Sequence, residues 1–178
     1  MDRSTNAYVW MMRVVYAALS CVFLMFHLLP LGQSSNLAFA PDLILGLTLA
    51  WVSRRPEFAP VLLIAATALL ADLLLARAPG LWAALTLLLS EYIRNRGQRM
   101  KSAGFIWEWV RVSAGIAVIF LVNRIVLSVL FVNVPPLASV LTQFGATVLL
   151  YPVITALSAV LLRVRYIEAA ETGGRVRA

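Results

Sequence analysis

The chain has 178 residues, of which 62% are hydrophobic and 13% charged, and it carries a net charge of +7. A soluble domain of this size has too large a surface to hide that much apolar matter, so lipid is the solvent that fits and most soluble enzyme classes are excluded. A basic excess in a soluble protein would suggest nucleic acid. Here it falls in short loops, where anionic lipid headgroups meet it, and no aromatic residues interleave the main basic loop as a nucleic-acid surface requires.

A spanning helix needs roughly 20 mostly apolar residues, fewer when packed inside a bundle. The first candidate runs from Trp10 to Leu31. Ala38-Phe39-Ala40 resembles a signal-peptide cleavage site, but the apolar run is longer than an ordinary signal core of about 7–15 residues, and Pro41 follows the would-be cut. Span two covers Leu37 to Val52 and contains Pro41-Asp42, a pair suited to a helix start. Arg54-Arg55-Pro56 ends it. Span three covers Pro60 to Ala76 and contains Asp72, and Arg77-Ala78-Pro79-Gly80 is a turn. Span four runs from Leu81 to Ile93, with room to extend into the basic loop. Spans two to four are short enough that a re-entrant pair is an alternative. The loop from Arg94 to Lys101 holds Arg94, Arg96, Arg99 and Lys101. Span five runs from Phe105 to Val132, Pro135-Pro136 breaks it, and span six runs from Leu137 to Leu162 with Pro152 as a kink. The fold class expected is therefore an all-α membrane bundle of six helices. It forms one membrane domain over residues 1–165, with a loose tail at 166–178.

Threading six spans from a cytoplasmic N-terminus places Arg3, Arg13, Arg54, Arg55, Arg94, Arg96, Arg99, Lys101, Arg163, Arg165, Arg175 and Arg177 inside, and Arg77 outside. That asymmetry predicts both termini in the cytoplasm. All five tryptophans fall near predicted span ends, as an aromatic belt would. Cys21, the single cysteine, reads as a small packing residue, and with one His and one Cys neither a disulfide nor a Cys/His metal site is expected.

Counting depth at roughly 1.5 Å per residue puts His27, Asp42, Asp72, Asn123 and Arg124 at similar levels in the outer half of the bundle. A lone intramembrane charge costs at least about 2.5–3.5 kcal/mol, so a partner is expected, and Arg124 is read as pairing with Asp72 or Asp42. Two roles stay open for this cluster: a lock on helix register, or a polar cavity or docking site. Glu108 and Arg111, three apart, are placed for a local pair, and Glu91 for an interfacial anchor. Gly46-x-x-x-Ala50 and Ser113-x-x-x-Ala117 would permit close helix approach. Arg54, Arg55, Arg94, Arg96, Arg99 and Lys101 form a candidate cytoplasmic contact surface. No phosphate-binding loop, zinc-protease motif or serine triad is present, so no catalytic residue, cofactor or metal is expected.

Several of these pieces fall in a familiar order. A Pro41-Asp42-opened short span is followed by an Arg54-Arg55-Pro56 turn, a span ending in Ala71-Asp72-Leu73-Leu74, the Pro79-Gly80 turn, and a span closing on Tyr92 before the basic loop. In this the chain resembles the MreD family of bacterial rod shape-determining membrane proteins over residues 10–165. It departs from the family pattern in having no glycine between Leu63 and Leu70. The resemblance implies a non-catalytic inner-membrane subunit of the cell-elongation machinery. Such a subunit binds MreC and is linked through it to the MreB filament, to RodA and to RodA's partner transpeptidase. The same architecture is similar to the substrate-binding subunits of energy-coupling-factor transporters, which keeps a solute-binding reading as the alternative.

Overall fold

The computed structural model describes residues 3–28, 41–97, 104–130 and 136–161. Among these the chain forms six helices and no strand: α1 (Arg3–Leu28), α2 (Leu43–Arg54), α3 (Val61–Leu74), α4 (Leu81–Gly97), α5 (Phe105–Val129) and α6 (Leu137–Leu161). Helices α1, α5 and α6 are long and apolar enough to cross a membrane, while α2 and α3 are shorter apolar helices. The helix starts fall close to expectation, apart from α1, which begins before Trp10, and α2, whose first turn is set by Asp42 rather than by Leu37.

The helices are not equivalent. α2 packs against α1, α4 and α6, while α1, α3, α4, α5 and α6 each contact the next in that order. Every residue from Ile44 to Val52 is buried. α2 is thus the central helix of the bundle. It can be short because its ends meet protein, which supplies the polar partners that hydrocarbon cannot. Its 12 residues rise only about 18 Å. Gly46 sits where an added Cβ would lie 2.8 Å from Ile154 Cδ1, so the expected close approach of α2 occurs against α6. On α5 the close contact is made instead by Gly115 against Leu89, and Ala117 is exposed.

The other helices expose many large aliphatic groups while burying several hydroxyl-bearing ones among their core hydrophobics. On α1 the buried stripe is Met12, Tyr16, Ser20 and Leu24, at a spacing of four, and Val14, Val22 and Met25 are exposed. In water so much exposed aliphatic surface would be costly, whereas in lipid it costs nothing and polar groups seek one another. The Tyr16 and Thr48 hydroxyls share a hydrogen bond of 2.8 Å between α1 and α2.

Two expectations are corrected here. Trp51 and Trp82 are buried rather than part of a peripheral belt. Trp51 is fully enclosed and its Nε1 donates to Ser158 Oγ at 3.3 Å, while Trp10 and Trp107 are exposed. Cys21 is exposed on α1 and packs into no core.

Candidate functional site

Side-chain contacts define two ends of the bundle. Tyr8 and Arg13 of α1 meet the α2–α3 connection, and Arg94 of α4 donates to the Ala59 carbonyl, also in that connection, at 2.6 Å. This is the Arg54 end. At the other end His27, Asp42, Arg77 and Trp82 line one cleft. α2, α3 and α4 therefore each run from one end of the bundle to the other.

At the Asp42 end the sequence dictates the geometry closely. Asp42 precedes the first residue of α2, and its Oδ1 accepts from the Leu45 N–H at 3.0 Å, satisfying one of the orphan donors of the first turn. Oδ2 accepts from Arg77 Nη1 at 3.2 Å and from Trp82 Nε1 at 3.1 Å. The Asp42 N–H in turn donates to Thr147 Oγ1 at 3.0 Å. One residue thereby joins α2 to the α3–α4 turn, to α4 and to α6.

Asp72 works differently. α3 ends with Ala76 in the left-handed region (φ 49°) and with the Arg77 N–H bonded to the Asp72 carbonyl at 3.0 Å, a Schellman-type closure that ordinarily employs glycine. The chain then turns through Gly80, whose φ of 84° suits glycine, into α4. Gly80 has no side chain with which to cap that helix. Asp72 supplies the missing acceptor from the preceding helix, its Oδ2 taking the Gly80 N–H at 3.0 Å and the Ala83 N–H at 3.1 Å. A carboxylate at a helix N-terminus also meets the positive end of the helix dipole. Asp72 Oδ1 is buried with no hydrogen-bond partner among the described residues.

The expected bridge from Arg124 to either carboxylate does not form. The ion partner of Asp42 is Arg77, the one arginine assigned outside, and Asp72 is held by backbone N–H groups. Asn123 and Arg124 lie half-buried on α5, one turn beyond Phe120, whose ring meets Trp82 edge-on at 5.0 Å. Shared depth did not mean a shared face. His27 is half-buried on the wall of the cleft beside Asp42 and Arg77. That cleft has an empty volume of about 330 Å³ counted with its open mouth, but enclosed room for only about one water molecule.

At the Arg54 end the expected contact surface is partly folded inward. The Arg54 side chain is only 12% exposed, with Nε 3.7 Å from Glu108 Oε1. Glu108 accepts from the Tyr151 hydroxyl at 2.9 Å, so it reaches across to α2 and α6. Arg94 also pairs with Glu91 at 3.3 Å, one turn away. The Arg55 and Arg96 guanidinium groups stand over the rings of Phe58 and Tyr92, at 5.8 and 5.3 Å. Arg99 and Lys101 lie outside the described residues.

The sequence reading missed Arg77, Trp82, Thr147 and Tyr151. Trp82 and Tyr151 carry a detectable signal, since a buried Trp or Tyr needs a partner for its N–H or O–H.

The chain matches no family model, no curated protein and no solved structure.

Proposed function

We propose that this chain is a non-catalytic scaffold of the MreD kind, spanning a bacterial inner membrane six times with both termini in the cytoplasm. It docks MreC and so helps couple MreB to RodA and its partner transpeptidase. The observation that carries this reading is the use made of the two aspartates on which the resemblance rests. Asp42 and Asp72 are both spent on cross-links within the bundle, at a helix start and a helix-to-helix turn. Groups used in this way fix the shape of a docking body. The orientation is supported by charge, because Arg13, Arg54, Arg55, Arg94 and Arg96 gather at one end and Arg77 stands at the other.

The solute-transporter alternative draws little support from a cleft with room for about one water, well below the roughly 300 Å³ of enclosed space that a small-molecule site occupies. The test is affinity purification of the tagged full chain from membranes, with depletion in the rod-shaped host. Co-purification of MreC and rounding of depleted cells are expected. Normal rods without MreC, together with saturable binding of a small solute lost in Asp72→Ala, would replace the scaffold with the transporter.

A further inference from the structure

We propose that Pro152 makes α6 a jointed helix and that the Trp109 indole on α5 is the catch that holds the joint at one angle. A donor from a neighbouring helix replaces the backbone N–H that the proline lacks.

A proline inside a helix removes one backbone donor, so the carbonyl four residues before it loses its partner, and the ring crowds that carbonyl as well. In α6 the proline is Pro152 and the carbonyl is that of Val148. α6 is long and apolar enough to cross a membrane, and in hydrocarbon no water can stand in for the missing donor. Trp109 Nε1 donates to this same Val148 oxygen at 3.1 Å. The choice of carbonyl is specific. Helix geometry gives the other interior carbonyls of α6 a backbone N–H four residues on, since Pro152 is the only proline within it. The indoles of Trp51 and Trp82 go instead to side-chain oxygens, on Ser158 and Asp42.

Contacts on both sides of Pro152 give the joint something to hold. The segment before it is tied to α2 through Thr147, whose Oγ1 accepts from the Asp42 N–H at 3.0 Å. The segment after it is tied to α2 through Ser158, whose Oγ accepts from Trp51 Nε1 at 3.3 Å. α5 meets the joint itself with two successive residues. Trp109 takes the Val148 carbonyl, and Glu108 accepts from the hydroxyl of Tyr151, the residue next to Pro152, at 2.9 Å. Trp109 and Val148 also pack against the hydrophobic core, which fixes the indole in position. α6 is thus two rods, each with its own tie to α2, and the angle between them is set where α5 touches.

The test places two spin labels on a cysteine-free chain (Cys21→Ser), through Leu141→Cys and Val160→Cys, at exposed positions on either side of the joint. They lie about 28 Å apart along the helix, within reach of double electron–electron resonance. In detergent the full chain is expected to give one narrow distance. Trp109→Phe should broaden it. Adding Pro152→Ala to Trp109→Phe should narrow it again, because the restored backbone N–H closes on Val148. Stability gives a readout without labels: Trp109→Phe should raise the unfolding equilibrium constant about fivefold with Pro152 present, and less than about twofold in the Pro152→Ala background. Pro152→Ala alone serves where Trp109→Phe does not fold. Its Trp109 indole proton should move upfield in the nitrogen-15 spectrum, since a backbone donor now competes for the same oxygen. An unchanged distance distribution in Trp109→Phe would overturn the catch, and failure of Pro152→Ala to restore a broadened one would overturn its link to the proline. So would an equal stability cost in both backgrounds, or an indole proton that Pro152→Ala leaves in place.

Discussion

The two ends of the bundle solve the same problem with different means. At the Asp42 end, carboxylates serve helix termini: each takes backbone N–H groups that helix geometry leaves without partners. At the Arg54 end, long side chains meet one another across the interior, Arg54 with Glu108 and Glu108 with Tyr151. The first arrangement is built on the backbone and tolerates little displacement. The second is built on flexible side chains at 3.7 and 2.9 Å and can adjust. The Asp42 end is therefore expected to be the stiffer of the two.

The strongest test of that contrast is Asp42→Ala, which strips partners from Arg77, Trp82 and the first turn of α2 at once. A loss of about 3 kcal/mol in detergent-monitored unfolding is expected, since a partly buried ion pair and a cap both go. Next comes Asp72→Ala, at about 2 kcal/mol for two unpaired backbone donors, while Asp72→Asn keeps an accepting oxygen and should lose less than half of that. Glu108→Ala should cost about 1.5 kcal/mol, because the adjustable end finds other partners. A larger loss for Glu108→Ala than for Asp42→Ala would reverse the comparison. The smallest effect is a gain: Ala76→Gly should stabilise by about 0.5–1 kcal/mol by relieving a left-handed alanine at the α3 closure, measured as a raised Tm.

Much of this was legible in the residues. Apolar runs and their Pro, Gly and Arg interruptions place all six helices, and Pro41-Asp42 announces the α2 cap. The centrality of α2 was not legible. A helix apolar all round looks alike whether its neighbours are acyl chains or side chains, so hydropathy cannot rank α2 against α3. The partner of Asp42 was missed for a related reason. Depth counted along straight helices locates residues within spans, but Arg77 lies in a turn that tucks back toward α2, 35 residues away in sequence. Arg124 has a suitable depth on a helix that turns it elsewhere. A usable signal was present in α1, where Tyr16 and Ser20 fall on one stripe and Val14 and Val22 on another. In lipid the hydroxyl-bearing stripe is the interior one, and the same reading assigns Thr48 and Thr155 to the core.

The enclosure of α2 has a consequence for how the protein is made. With a rise of about 18 Å against a hydrocarbon layer of about 30 Å, α2 is a poor candidate for insertion as an independent segment. Three of its walls arrive at different moments of synthesis, α1 before it, α4 after it and α6 last of all. Until α6 leaves the ribosome, Gly46, the Trp51 Nε1–H and the Asp42 N–H lack the partners that α6 supplies. The nascent protein thus passes through a stage with its centre uncovered, and quality-control proteases should degrade chains that stop short of Leu137.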